Sequence, residues 1–387
     1  MFQQFFNSEK AGGLILIACT AISLLVANSS YGDDFVHFWH TGLPLHIGNI
    51  VIPFSIEEWI NDGLMTIFFL MVGLEIEREL YIGELSSFKN AILPALAAIG
   101  GMAVPALIHF VFCYGKPEAA GNGIPTATDI AFSLGVLSLI GKRIPLSLKI
   151  FLTALAIIDD LGAIIIIGIF YTQTFSFLYL FFALLVFGVL LVFNKLKIQT
   201  LWIYLPAGVL LWYFLYRSGV HPTLSGVLLA FAIPFNKNNE KQPSSVLQHA
   251  LHRPVNFIII PLFALANTAI HLPHTWKSEM FSSNSLGIAL GLLLGKPIGI
   301  VGFTLLGISL GIAKLPHDIN KRKLVGMGML AGIGFTMSIF ISNLAFSTHP
   351  DLIQSSKVAV LIASLLAAVI GWLILKSGET RLNDHVI

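Results

Sequence analysis

The sequence predicts an all-α integral membrane protein with about twelve transmembrane helices. Of its 387 residues, 56% are hydrophobic and only 11% are charged, and the mean hydropathy is +0.85. Soluble domains carry about 25% charged residues, so this composition excludes an ordinary soluble fold. The net charge of +2 is small and its charges are scattered, which indicates no nucleic-acid partner.

Apolar runs long enough to cross about 30 Å of hydrocarbon recur along the chain. The first run follows Lys10 and ends in small residues, as a cleaved signal peptide would, but the charged loop after it favours an uncleaved span. The predicted spans are approximately 12–28, 59–80, 92–113, 124–140, 148–171, 176–193, 201–216, 220–234, 252–270, 286–309, 324–346 and 356–375.

Positive charge predicts the orientation of these spans. With a cytoplasmic N-terminus, most of the 22 lysines and arginines fall in the inside segments. The outside loops then hold Lys116, Arg217, Lys277 and Lys357. Cytoplasmic loops carry such an excess, so we expect both termini in the cytoplasm.

Two polar segments interrupt the apolar pattern. Asn236 to Ser245 predicts a cytoplasmic linker. In the first outside loop, a Gly48-Asn49 pair flanked by apolar residues predicts a small β-hairpin, with an irregular loop as the alternative. An exposed hairpin edge is able to pair with a second copy of the chain.

Spans four and eleven are predicted to be discontinuous. Span four begins Gly-Ile-Pro-Thr-Ala-Thr-Asp, which places Pro125 and Asp129 where a continuous helix favours Leu or Ala. Span eleven contains Gly332 and Gly334 followed by hydroxyl residues, although small residues also serve as helix-packing contacts. Each is the middle member of a triplet of spans, three to five and ten to twelve. The two triplets enter the membrane from opposite sides. We therefore predict an inverted repeat of three-helix units in which two broken helices cross.

These features predict four regions along the chain. They are an N-terminal interface region (1–90), a first core repeat (91–175), linking helices with the cytoplasmic linker (176–285), and a second core repeat with a cytoplasmic tail (286–387).

Ionisable residues inside the predicted spans indicate an ion path. Asp159 and Asp160 stand in an apolar span, and Asp62 is a further intramembrane acid. A charge at bilayer depth costs at least about 2.5 kcal/mol, so such residues usually mark ion or proton pathways. Asp129 is expected to face half-helix N-termini, and Lys296 to face C-termini unless it snorkels to an interface.

The residue types favour sodium or lithium as the ion. Successive helical residues point about 100° apart, so we predict Asp160 as the main ligand and Asp159 as a second ligand or the partner of Lys296. Thr128, Asp129 and freed carbonyls are expected to add oxygens. We read His109 as packed, both cysteines as buried hydrophobes, and expect no cofactor.

Two adjacent carboxylates titrate as a coupled pair. A bound cation favours their ionised form, so a cation and protons compete for the same oxygens. Exchange of Na⁺ for H⁺ follows as a hypothesis.

Several segments carry a resemblance to a known family. They are Ala-Thr-Asp-Ile-Ala-Phe (127–132), Ala-Leu-Ala-Ile-Ile-Asp-Asp-Leu-Gly-Ala-Ile-Ile-Ile-Ile (154–167), Gly-Lys-Pro (295–297), Gly-Ile-Gly-Phe-Thr-Met-Ser-Ile-Phe-Ile (332–341), Asn-Asp-Gly-Leu-Met (61–65), Gly-Leu-Glu-Ile-Glu-Arg-Glu-Leu (73–80) and Ser-Gly-Val-His (218–221). Together they resemble bacterial NhaA sodium/proton antiporters nearly end to end.

The resemblance implies electrogenic exchange of more than one proton per sodium, a homodimer in the bacterial inner membrane, and activation at alkaline pH. By motif match, the family's ion-binding positions are Asp159, Asp160, Thr128, Asp129 and Lys296.

The family also places pH-responsive residues at the cytoplasmic entrance, matching Glu75, Glu79, His249 and His252. The alternative is an ordinary solvated face. The sequence departs from the family nearby: Gln248 stands in place of Glu, Ser245 and Val246 replace a basic pair, and Glu77 replaces Lys.

Three other functions compete with antiport. An intramembrane aspartyl protease takes its two acids from different helices, whereas Asp159 and Asp160 share one. A cation channel needs a continuous selective pore. A proton- or sodium-coupled transporter of another solute on the same fold is the third.

Overall fold

The protein is predominantly helical, as the sequence predicts. A computed structural model describes residues 9–141, 144–172, 175–237, 242–272 and 279–377. The helices are α1 (Glu9–Ala27), α2 (Gly32–His40), α3 (Ile56–Tyr81), α4 (Phe88–Cys113), α5 (Ile130–Ile140), α6 (Leu146–Phe170), α7 (Phe177–Lys195), α8 (Leu201–Ser218), α9 (Leu224–Ala232), α10 (Pro243–Asn267), α11 (Ser283–Ser309), α12 (Lys321–Ala331), α13 (Phe335–Ala345) and α14 (Pro350–Lys376), with 3₁₀ helices at Glu84–Ser86 and Pro117–Thr126.

Polar side chains begin several of these helices. Ser55 and Glu58 form a reciprocal capping box at the start of α3, in which each side chain accepts the other's backbone N–H. The side chains of Ser87 and Asn320 each accept one backbone N–H from the first turn of α4 and of α12, respectively. Such caps supply acceptors to the N–H groups that a first turn leaves without partners.

The predicted hairpin is confirmed. Strand β1 (Leu45–Ile47) pairs antiparallel with β2 (Ile50–Ile52), and Leu45 lies opposite Ile52. Gly48 has a φ of +58°, a left-handed conformation that glycine adopts without steric cost.

Membrane-spanning helices are less numerous than predicted in the part of the chain that the structure describes. Seven helices are long and apolar enough to cross a membrane, or up to ten if each of three bent pairs forms one span. Helix α9 has nine residues and α8 carries Arg217 in its last turn, and neither is among these candidates. Twelve spans and the inverted repeat therefore stay predictions.

One helix begins earlier than its predicted span. Helix α10 begins at Pro243, within the predicted linker 236–245, where proline suits the first turn because its missing N–H needs no partner. Span nine accordingly starts nine residues before its predicted position. Residues 238–241 of the linker, Lys277 and the tail after residue 377 lie outside the described residues.

The chain forms two compact units. Unit 1 comprises Met1–Leu14, Glu84–Ala163 and Leu272–Ile387, and unit 2 comprises Ile15–Gly83 and Ile164–His271. The four regions predicted from the sequence stay a prediction.

Glycines allow α4 and α11 of unit 1 to approach backbone to backbone. A Cβ on Gly299 would lie 2.0 Å from the carbonyl oxygen of Gly100, whereas one on Gly302 of the same helix would meet nothing within 4 Å. The position of α11 therefore depends on the absence of a side chain at Gly299. The same holds for Lys296, which lies one turn earlier on this helix.

We predict that Gly299→Ala destabilises the protein, because overpacking against backbone costs typically about 1–3 kcal/mol. The melting temperature in detergent should fall, while Gly302→Ala should leave it nearly unchanged. Equal melting temperatures for the two variants would contradict this account of the contact.

Candidate ion-binding site

Both predicted helix breaks are present in unit 1. Residues 127–129 separate the 3₁₀ helix from α5 with a bend of 41°, and residues 332–334 separate α12 from α13 with a bend of 43°. Pro125 lies just before the first break, and Gly332 and Gly334 bound the second. A Cβ on Gly332 would lie 2.5 Å from the carbonyl oxygen of Leu292. The close approach of the Leu292 backbone therefore favours glycine at this position.

The two breaks are joined by hydrogen bonds in both directions. Each bond joins a donor on one broken helix to a backbone carbonyl at or near the break of the other. The donors and acceptors are Asp129 N to Ile333 O (2.7 Å), Thr128 Oγ1 to Ala331 O (2.9 Å), Ser133 Oγ to Leu330 O (2.9 Å) and Ser338 Oγ to Ile124 O (2.6 Å).

The Asp129 carboxylate accepts hydrogen bonds from two helix N-termini. Its Oδ1 accepts from the N–H of Phe132 in α5 at 2.9 Å. Its Oδ2 accepts from Thr336 in α13, from the N–H at 3.1 Å and from Oγ1 at 2.7 Å. The side chain is buried. One negative group thus balances the partial positive charge of two helix ends, the placement expected from the sequence.

Lys296 and Asp159 form a fully buried ion pair. Nζ of Lys296 donates to Oδ2 of Asp159 at 2.6 Å and to Oγ1 of Thr128 at 2.6 Å, and both charged side chains have no solvent exposure. Thr128 Oγ1 also lies 2.7 Å from the same aspartate oxygen. Lys296 therefore does not snorkel, and its contact is with Asp159 rather than with a helix C-terminus.

Asp160 is buried beside this pair. It has 1% of its surface exposed, and its charge lies close enough to Lys296 to act on it electrostatically. The other oxygen of Asp159, Oδ1, has no hydrogen-bond partner among the described residues. The arrangement thus offers acidic oxygens in a region that excludes water.

No cluster of three or more His, Cys, Asp or Glu side chains placed to hold a metal ion exists within the described ranges. A cation bound at the aspartates must therefore take further oxygens from hydroxyl or carbonyl groups such as those of Thr128. Hard monovalent cations accept such ligands.

The remaining predicted site residues lie in unit 2. Arg78 pairs with Glu79 at 3.0 Å and lies 3.8 Å from Glu75. His249 and His252 are exposed on the first part of α10. Asp62 lies in a π-helical turn of α3, with its carboxylate 3.4 Å from Nε2 of His221.

Four hydroxyl residues of unit 1 were not predicted as site residues. Thr336, Ser133 and Ser338 supply the bonds between the breaks, and Ser364 of α14 accepts from the N–H of Phe335 at 3.2 Å. Thr336, Ser133 and Ser338 share a signal that the sequence offers, a hydroxyl residue within about one turn of a break. Ser364 lacks this signal because it belongs to a continuous helix.

Comparison with known proteins identifies the family of this chain. The sequence model of the family described as Na⁺/H⁺ antiporter 1 matches residues 3–375. The chain belongs to this family. It is 55% identical to the Na⁺/H⁺ antiporter NhaA of Dechloromonas aromatica over 96% of this chain and 94% of that protein. It is also 55% identical to the NhaA of Flavobacterium psychrophilum, over 97% and 96%, and 52% identical to that of Cytophaga hutchinsonii, over 97% and 95%.

This member of the Na⁺/H⁺ antiporter 1 family buries acids and a lysine together. In a structural protein these charges would only cost free energy.

We predict that Lys296→Gln lowers the melting temperature strongly, because removing one partner of a buried ion pair costs about 3–5 kcal/mol. The double variant Lys296→Gln with Asp159→Asn should recover part of the loss, since it leaves no uncompensated charge. Lys321→Gln, at an exposed position, is the control. Additive losses in the double variant would show that the two residues do not stabilise each other.

Proposed function

We propose that this protein expels Na⁺, and also Li⁺, in exchange for protons by alternating access. The proposal rests chiefly on one observation, the fully buried Lys296–Asp159 ion pair beside the buried Asp160 at the contact of two broken helices. Membership of an antiporter family supports it. The bacterial inner membrane is the proposed location, with both termini cytoplasmic.

In this proposal Asp160 is the main cation ligand. Na⁺ binds to its ionised carboxylate, and Thr128, Asp129 and free backbone carbonyls complete the oxygen shell. A proton on Asp160 removes the negative charge that attracts Na⁺, so binding of one ion releases the other. Only the Na⁺-loaded and protonated forms change the side to which the site opens, which couples the two fluxes.

The Lys296–Asp159 pair supplies a route for a second proton. The pair holds one proton, either on Lys296 as an ammonium or on Asp159 as a carboxylic acid. When Na⁺ approaches Asp160, its positive charge disfavours this proton, which then leaves the pair. Two protons per Na⁺ make the exchange electrogenic. Residues of unit 2, namely Glu75, Glu79, His249 and His252, are proposed to tune the rate with pH, and the active form is proposed to be a homodimer. No cofactor takes part and no bond of a substrate is broken.

Sodium-driven proton movement tests the central claim. Purified protein in acid-loaded proteoliposomes should release protons when Na⁺ is added outside, from about pH 6 to about pH 9. Asp160→Asn should abolish this flux, while Asp351→Asn, an exposed acid at the start of α14, should preserve it. Sodium flux that ignores the proton gradient would instead indicate a channel.

Electrogenicity has a quantitative signature. If one net charge crosses per cycle, a membrane potential of 100 mV contributes about 2.3 kcal/mol, which shifts the equilibrium Na⁺ gradient about 50-fold. The Na⁺ gradient can be measured at potentials set by K⁺ and valinomycin. A gradient that does not change with potential would establish electroneutral exchange.

A further inference from the structure

We propose that Glu77 of α3 is a proton-binding site within unit 2. Its side chain is 4% exposed, and its Oε2 has no hydrogen-bond partner among the described residues. None of the ion pairs formed by described residues includes Glu77. The proposal goes beyond Na⁺/H⁺ exchange and does not depend on it.

The surroundings of Glu77 are apolar. Gly73, one turn earlier on the same face of α3, packs so closely on α9 that a Cβ there would lie 2.7 Å from the Cβ of Ala230. Leu74, three residues before Glu77, belongs to an apolar cluster with Leu229 and Ile233. The carboxyl group thus lies on the side of α3 that packs against apolar residues.

The titratable groups near α3 form other contacts or are exposed. On α3 itself, Arg78 pairs with Glu75 and Glu79, and Asp62 lies near His221. Helix α9 carries no titratable residue. On α10 the titratable residues are His249, His252 and Arg253, all exposed. The other titratable groups nearby are Tyr204, whose hydroxyl donates to Ile198 O at 3.1 Å, and Lys237, which lies 5.8 Å from the Tyr81 ring centroid.

An ionised carboxylate without a partner is costly in such a place, whereas a neutral carboxylic acid is tolerated. The described residues supply too few free oxygens here to hold a metal cation, which needs several. Ser244 Oγ of α10 is also buried without a partner among the described residues. Ser244 lies one turn before Leu247, a member of the same cluster as Leu74. The chemistry therefore favours a proton as the occupant of Glu77.

Loss of this proton at alkaline pH would place a bare negative charge among α3, α9 and α10. The packing of these helices then becomes weaker as the pH rises. Unit 2 thereby acquires a response to alkalinity that does not use the surface histidines.

Infrared difference spectroscopy of the full-length protein tests the protonated state directly. A protonated carboxylic acid absorbs as a carbonyl band that shifts on deuteration, and an ionised carboxylate has no such band. At neutral pH the spectrum of Glu77→Gln should lack one band that the wild-type protein shows. Glu79→Gln, whose acid pairs with Arg78, should retain it. A band unchanged in Glu77→Gln would overturn the proposal.

Thermal unfolding from about pH 4 to about pH 9 provides an independent readout. The melting temperature of Glu77→Gln should match that of the wild type near pH 4, where the acid is neutral in both the folded and the unfolded chain. It should exceed that of the wild type increasingly as the pH rises, because the unfolded glutamate ionises while the buried one stays neutral. Glu77→Met should fold and show the same trend. Three results would contradict a neutral acid at this position. They are a variant that is less stable than the wild type at every pH, a melting temperature that depends on Na⁺ only when Glu77 is present, and failure of both variants to fold.

Discussion

Two interrupted helices in an apolar region leave backbone groups that must find partners, and this constraint organises unit 1. The hydroxyl groups of Thr128, Ser133 and Ser338 reach carbonyls across the contact, and the Asp129 carboxylate receives N–H groups from both α5 and α13. Water cannot substitute for these partners inside a membrane. The buried carboxylates of unit 1 therefore lie beside breaks whose backbone groups have partners within the protein.

The buried ion pair adds a second constraint. Lys296 and Asp159 stabilise each other only as a pair, since either charge alone would be uncompensated. The close contact of Gly100 with Gly299 fixes the helix that carries the lysine. A change at one of these mutually dependent charges therefore affects the other.

The sequence predicted the helical class, the hairpin, both breaks and the burial of Asp129, Asp159 and Lys296, because charge and glycine within apolar runs have few structural explanations. It did not predict which of two partners Lys296 would take, because both Asp159 and helix ends were open to it. Ser364 was missed because a serine in a continuous apolar helix has no distinguishing pattern. The start of α10 was missed because polar residues before Pro243 resemble a loop as much as a first helical turn.

The separation along the chain between Asp129 and its hydrogen-bond partner has a consequence for biosynthesis. Its partner Thr336 follows 207 residues later in the chain. A ribosome that releases the protein from its N-terminus delivers the first broken helix long before the second. The carboxylate at the first break therefore gains its second helix end only after most of the chain has been translated, which makes this candidate site one of the last parts of the protein to assemble.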